Sequence, residues 1–149
     1  MIGGGISGMQ AALSLADQGY PVTLAEKNEE LGGHARKLLT VWNGEPVRPF
    51  LDGLIKKVEN HPLITVRKGA VLKNVQGFVG SFCSLLDVNG NEEQVRHGVA
   101  VIATGAHSYK PTEYGYGKSS RIFLNLDLDQ AIRERREEVT EAKSAVFIQ

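Results

Sequence analysis

The chain has 149 residues, 42% of them apolar, and its 17 basic residues are balanced by 17 acidic ones. This length and composition predict one domain with an ordinary core, and the charge balance argues against nucleic acid or an anionic membrane as a partner. The only cysteine, Cys83, excludes an internal disulfide and any all-cysteine zinc or iron–sulfur site within the chain. No apolar run is long enough to span a bilayer and no signal peptide is recognisable, which predicts a cytoplasmic protein without a membrane span.

The clearest motif is a glycine-rich turn at residues 3–8 with the spacing G-x-G-x-x-G. Gly3 is expected to allow a tight turn, and Gly5 to let the main chain approach a pyrophosphate closely. Gly8 is expected to let the following helix pack against a sheet. At this spacing, and followed by a helix and a strand, the turn predicts a dinucleotide-binding βαβ unit.

The helix that follows this turn is predicted over residues 7–18 and ends at Gly19. Its N-terminal N–H groups and positive dipole would face the phosphates of a dinucleotide. Ile6 and Ser7, at its start, are therefore candidate phosphate-binding residues. Ser7 has an alternative role, since its hydroxyl could instead cap the helix.

A second apolar run, residues 20–25, predicts a buried parallel strand and is followed by Glu26 and Lys27. A carboxylate at this position of a dinucleotide-binding unit can accept the ribose hydroxyls of an adenosine. Glu26 is therefore the predicted ribose ligand, with Lys27 beside it. The alternative, a solvated acid at a strand end, fits the surrounding fingerprint less well.

A Gly32-Gly33 pair lies a short loop beyond Glu26. Seen alone, two glycines indicate only a turn. Flavoproteins of the glutathione-reductase type commonly carry such a pair, where the loop runs beside the pyrophosphate and ribityl chain of the cofactor. At this spacing from Glu26, the pair favours FAD over NAD.

The middle of the chain alternates between helix and strand patterns. A helix is predicted from Pro49 to the stop signal near residue 60, and a third strand over residues 63–67. Residues 70–97 predict a small antiparallel β-meander, in which Asn89-Gly90 suits a primed hairpin turn.

Three single residues in this region carry separate expectations. Val71, at the start of the meander, is a candidate for backbone contacts to adenine. Cys83 is expected to be a buried and unreactive thiol, because no histidine or helix N-terminus flanks it. Trp42 is expected to anchor its loop by packing on the core. No pair of histidines has metal-ligand spacing, so no metal site is predicted.

A fully apolar strand is predicted over residues 98–103 and runs into Ala103-Thr104-Gly105. Small residues let this turn pass close to a ligand, and the Thr104 hydroxyl can hold the turn or a phosphate-side group. In a domain that opens with the dinucleotide fingerprint, all three residues are candidate cofactor contacts.

The C-terminal third begins with a polar, tyrosine-rich loop over residues 109–117, interpreted as a surface excursion or a subunit contact. A helix with a solvated, charged face is predicted over residues 127–142. A further strand is predicted to begin at residues 145–148. Because the strand before the glycine turn is also short, residues 1–149 are expected to form a single domain truncated at both ends.

On these motifs the chain resembles the flavin domain in the A-type subunits of heterodisulfide reductase and in related iron–sulfur flavoproteins. The segments that carry the resemblance are residues 3–12, 22–27, 31–33, 101–106, 110–117 and 147–149. The resemblance implies an α/β, Rossmann-like FAD-binding domain, with helices around a central parallel sheet and a small antiparallel β-meander. It also implies a protein that passes electrons between FAD and iron–sulfur clusters outside this chain, with other subunits of an electron-transfer complex as partners.

In such a protein FAD carries the redox chemistry, and no residue of this chain is an obvious acid, base or nucleophile. The family's cysteine-rich cluster segments and its later Gly-Asp motif have no counterpart in residues 1–149. Two other interpretations stay open. One is the nucleotide-binding domain of an NAD-linked dehydrogenase, and the other is a non-catalytic interaction module that has kept the fold.

Overall fold

The computed structural model of the chain describes residues 1–148, which fall into two units. The first unit contains Met1–Arg36 and Arg48–Gly105, and the second contains Lys37–Val47 and the chain from Ala106 onwards. The elements in chain order are helix α1 (Ile6–Asp17), strand β1 (Val22–Ala25), a short 3₁₀ helix (Gly33–Lys37), helix α2 (Val47–Asn60), strands β2 (Ile64–Arg67), β3 (Ala70–Phe78), β4 (Ser81–Val88) and β5 (Asn91–His97), and helices α3 (Asn125–Arg133) and α4 (Glu137–Thr140).

The parallel sheet of the first unit is built around its first three residues. Strands β1 and β2 pair in parallel, from Val22 opposite Ile64 to Ala25 opposite Arg67. Residues 1–3 lie on the other side of β1, since Gly3 donates its N–H to the Ala25 carbonyl at 2.8 Å.

The opposite edge of this first segment pairs with residues 101–103. Ile2 donates to the Val101 carbonyl at 2.9 Å, and Ala103 donates to the Ile2 carbonyl at 2.8 Å. The predicted strand over residues 98–103 is therefore reduced to a single parallel bridge between Ile2 and Ile102. Its partner contributes only a short stretch of backbone, and the side chain of Ile102 stays 74% exposed.

Helix α1 covers this sheet with a face of small and aliphatic residues. Its buried positions include Met9, Ala12, Leu13 and Ala16, which recur at the i, i+3, i+4 and i+7 spacing of one helix face. The helix ends before Gly19, whose φ of +91° is the left-handed conformation typical of a helix stop. The predicted helix was therefore one residue late at each end.

The antiparallel sheet has the strand order β3-β4-β5, as the meander pattern predicted. Asn89 and Gly90 have φ values of +52° and +87°, which confirms the primed type of hairpin turn. The sheet packs through Ala70 and Leu86 on Ala25 at the end of β1. The meander is thereby held next to Glu26, the residue that follows β1.

The second unit differs from the sequence prediction in its helices. The single helix predicted over residues 127–142 is divided into α3 and α4, because Arg135 adopts a φ of +53° between them. Residues 145–148 form no strand, and Gln149 lies outside the described residues. Trp42 is 97% exposed, so the prediction that it packs on the core was wrong.

No helix within residues 1–148 combines the length and the apolar character that a bilayer crossing requires. The same residues contain no group of three or more histidine, cysteine, aspartate or glutamate side chains arranged to hold a metal ion.

The carboxyl of Glu138 in α4 is expected to titrate far below the ordinary range of a glutamate. A hydrogen-bonded ion pair with Arg136, with 2.8 Å between Nη2 and Oε1, lowers the pKa of Glu138 to about 2. The stabilisation by this pair is therefore present above pH 4.5 and is lost as the pH falls towards 2. A carbon-13 NMR titration should show this midpoint, and the Arg136→Gln variant should restore an ordinary one. An ordinary midpoint in the unmodified protein would contradict the ion pair.

Candidate functional site

The glycine turn at residues 3–8 depends on two glycines that have no room for a side chain. Gly3 has a φ of +108°, and a Cβ there would overlap the carbonyl oxygen of Ala103. A Cβ on Gly8 would overlap the carbonyl oxygen of Gly3. The turn, the start of α1 and residue 103 therefore pack backbone against backbone.

Gly5, by contrast, faces open space. It is the N-cap of α1, with φ −73° and ψ −179°, and no side chain caps the helix. A Cβ on Gly5 would meet nothing within 4 Å. Met9 makes the first helical hydrogen bond, to the Gly5 carbonyl at 2.9 Å, so the preceding N–H groups of the first turn are not used by the helix.

Those unused N–H groups belong to Ile6, Ser7 and Gly8. Ser7 is an exposed residue inside the first turn, and the observed N-cap is Gly5, so the alternative that Ser7 caps the helix was wrong. The helix end thus presents several backbone donors and a partial positive charge beneath a surface without side chains.

The second glycine pair lies directly against the first turn. Gly32 donates its N–H to the Gly4 carbonyl at 2.7 Å and forms a parallel bridge with Gly5. A Cβ on Gly33, whose φ is +52°, would lie 3.3 Å from the Cα of Gly5. Two glycine loops that are distant in the sequence therefore form one continuous backbone surface.

Glu26 lies at the end of β1 and is only 6% exposed. Its Oε2 accepts the N–H of Gly4 at 2.6 Å. Its Oε1 accepts two hydrogen bonds from Asn28, one from the backbone N–H at 2.9 Å and one from the side-chain amide at 2.8 Å. Glu26 is therefore a buried acid that holds the first glycine turn, not a solvated one, while its neighbour Lys27 is exposed.

Asn28 is the site residue that sequence reasoning missed. Its place two residues after the acid is a signal only in retrospect, because asparagine in a polar loop commonly makes local hydrogen bonds. Its backbone is held as well, since its carbonyl accepts the N–H of Gly69 at 3.1 Å.

The remaining predicted site residues reach the same region of the first unit. Thr104 follows Ala103 beside Gly3 and is exposed, and a Cβ on Gly105 would meet nothing within 4 Å. Val71 in β3 is half-exposed and follows Ala70, whose N–H bonds to the Glu26 carbonyl at 2.8 Å. The predicted candidates therefore lie along one edge of the parallel sheet and at the adjoining start of the meander.

The meander also contains a polar pair that the sequence did not indicate. Ser84, which is buried, lies 2.8 Å through Oγ from Nε2 of His97, and Nδ1 of that ring lies 3.2 Å from the Val99 carbonyl. Cys83 is partly exposed instead of buried, with its Sγ 3.9 Å from Oε1 of Gln94. These contacts are satisfied within the meander and do not extend to the glycine loops.

Substitution of Glu26 by glutamine is expected to lower the free energy of unfolding by about 1–3 kcal/mol without any nucleotide present, the usual loss when a buried donor is left unpaired. A carboxamide has one acceptor oxygen, so either Gly4 or Asn28 would face an NH₂ group. Urea denaturation measures the change. The Glu92→Gln variant, on the exposed part of β5, is the matched control. Equal stability of the two variants would show that Glu26 does not hold the turn.

Comparison with known proteins assigns the class. The family described as pyridine nucleotide-disulphide oxidoreductases matches residues 1–148, and the chain therefore belongs to that family. Among its relatives is the iron–sulfur A-type subunit of the CoB–CoM heterodisulfide reductase of Methanocaldococcus jannaschii, which is 33% identical over 135 residues. A second is the corresponding iron–sulfur polypeptide of Methanopyrus kandleri, which is 34% identical over 135 residues. The predicted resemblance to the heterodisulfide reductases is confirmed.

The chain covers only part of these relatives. Each alignment includes 89% of this chain but 20% of the relative, so the chain spans about a fifth of their length.

Solved structures show the same fold at low sequence identity. Thioredoxin reductase of T. acidophilum matches with a TM-score of 0.59 and 18% identity, over 78% of this chain and 39% of that one. L-Proline dehydrogenase from P. horikoshii matches with a TM-score of 0.57 and 21% identity, over 65% of this chain and 20% of that one. The expected α/β, Rossmann-like fold with a parallel and an antiparallel sheet is confirmed.

Proposed function

We propose that the first unit binds FAD and that the intact protein is a flavin-dependent oxidoreductase subunit. The observation that supports this most directly is the open backbone surface at Gly5. There the unused N–H groups of α1 lie beside the second glycine loop and the Gly4–Glu26 contact.

The pyrophosphate fits this surface because its charge suits the helix N-terminus and its bulk suits the space that a Cβ on Gly5 would occupy. Gly3 and Gly8 shape the turn, while the N–H groups of Ile6 and Ser7 supply donors. The role of all these residues is to bind and orient the cofactor.

The remaining candidates extend this assignment along the cofactor. Glu26, with Lys27 beside it, serves the adenosine ribose, and the backbone of Val71 lies on the adenine side. Gly32 and Gly33 line the pyrophosphate and ribityl side. Residues 103–105 approach from the neighbouring segment of the sheet. FAD, when bound, supplies the redox chemistry.

FAD is favoured over NAD by the close contact between the two glycine loops, which builds a longer backbone surface than a single nucleotide-binding turn does. The relatives agree with this choice in so far as their names describe iron–sulfur reductase subunits.

We further propose that the flavin exchanges electrons with iron–sulfur clusters outside this chain, within a complex of several subunits. The relatives support this, since a third one belongs to the H(2)/formate:CoB-CoM heterodisulfide,ferredoxin reductase of Methanococcus maripaludis and is 30% identical over 135 residues. The cytoplasmic location stays a prediction from the sequence.

An absorption spectrum of the intact protein, purified anaerobically and combined with identification of the extracted cofactor, tests the proposal. FAD in the extract is the expected result. Tight binding of NAD without FAD would instead indicate a dehydrogenase domain. Absence of any retained or rebinding flavin would indicate an interaction module that has kept only the fold.

A further inference from the structure

The hydrogen bonds of Glu26 leave little of its carboxylate for a ligand. An ionised carboxylate offers roughly four acceptor positions, two on each oxygen. Asn28 fills both positions on Oε1, through its backbone and its side chain, and Gly4 fills one position on Oε2. One acceptor position, on Oε2, is left.

We propose that Glu26 binds only one of the two hydroxyls of the adenosine ribose, and that Asn28 is the positioning residue that imposes this limit. The inference rests on the proposed binding of FAD and goes beyond it. A free carboxylate could accept both hydroxyls of the ribose, one on each oxygen, whereas this one presents a single position.

The backbone on both sides keeps this arrangement in place. Glu26 donates its N–H to the Arg67 carbonyl and accepts the N–H of Ala70, both at 2.8 Å. The Asn28 carbonyl accepts the N–H of Gly69 at 3.1 Å. Residues 26–28 are thus attached to the turn between β2 and β3, and the amide of Asn28 is delivered to Oε1 from a fixed backbone.

The side chain of Asn28 is the replaceable part of this restraint. In the Asn28→Ala variant the backbone N–H still bonds to Oε1, but the side-chain donor is gone. One position then becomes free on each oxygen, which is the arrangement that a ribose diol needs. Removal of Asn28 should therefore change which hydroxyls contribute to binding.

FAD analogues with 2′-deoxyadenosine or 3′-deoxyadenosine test this directly. Flavin is removed from the intact protein, and rebinding of FAD and of each analogue is followed by flavin fluorescence. In the unmodified protein only one of the two analogues should bind about tenfold or more weakly than FAD, the usual effect of losing a hydrogen bond to a charged group. In the Asn28→Ala variant both analogues should bind more weakly than FAD.

The Asn28→Leu variant, which keeps the size of the side chain but has no amide, should reproduce the alanine result. Asn60→Ala is the matched control, because the Asn60 amide donates to the Lys56 carbonyl within α2, and it should behave as the unmodified protein. Equal losses for both analogues in the unmodified protein would overturn the inference while FAD binding stands. So would an unchanged single-analogue pattern in both Asn28 variants. Failure of FAD itself to rebind would overturn the proposed function and this inference together.

Discussion

The Gly8→Ala variant is expected to lose at least about 3 kcal/mol of folding free energy, more than the ordinary effect of overpacking a core. The new Cβ would overlap the carbonyl oxygen of Gly3 and lie 3.1 Å from its carbonyl carbon, and backbone atoms cannot rotate away as a side chain can. Relief requires α1 to move off the turn and off the sheet that it covers. Since domains are stable by only about 5–15 kcal/mol, we expect a partly unfolded protein at room temperature.

Thermal and urea denaturation of the flavin-free protein measure this loss. The matched control is Gly53→Ala in the interior of α2, where a Cβ would meet nothing within 4 Å. That variant should gain about 0.5–1 kcal/mol, because alanine is the better helix former. A Gly8→Ala variant as stable as the unmodified protein would contradict the tight contact between α1 and the turn.

The Gly5→Ser variant is expected to keep its fold and lose its flavin, with binding weakened at least about a hundredfold, or about 2.8 kcal/mol. Serine is a preferred N-cap, so the new hydroxyl can bond to the N–H groups of the first turn and leave the stability of α1 unchanged or higher. The same hydroxyl would occupy the space and the donors that a pyrophosphate requires.

Flavin retention after gel filtration and the melting temperature of the flavin-free protein are the two measurements. Gly80→Ser is a useful comparison, because a Cβ there would also meet open space but lies in the turn between β3 and β4, and its φ of +86° predicts some loss of stability and none of flavin. Undiminished flavin binding by Gly5→Ser would show that the phosphates do not approach this helix end.

The parts of the fold that the sequence predicted are those determined by local geometry. The spacing of glycines and apolar residues predicted α1 to within one residue at each end, because helix periodicity and a helix stop are short-range signals. The Asn89-Gly90 turn was predictable for the same reason, since few residues adopt two successive positive φ values.

The parts that the sequence did not predict depend on what lies nearby in space. Residues 145–148 have the composition of a strand, but β propensity gives no strand without a backbone partner. Trp42 is exposed because loop composition does not specify which surface a side chain meets. The two bonds from Asn28 to Glu26 follow from the way their loop is held by the β2–β3 turn, which no local pattern encodes.

The central position of residues 1–3 in the parallel sheet has a consequence for biosynthesis. Ile2 pairs with Ile102, a separation of 100 positions, and Gly3 packs on Ala103. Such distant pairings close slowly, because the loop entropy must be lost before the contacts form. Although the glycine turn leaves the ribosome first, it can be completed only after the chain beyond residue 103 has emerged, so acquisition of a nucleotide has to follow most of translation of the first unit.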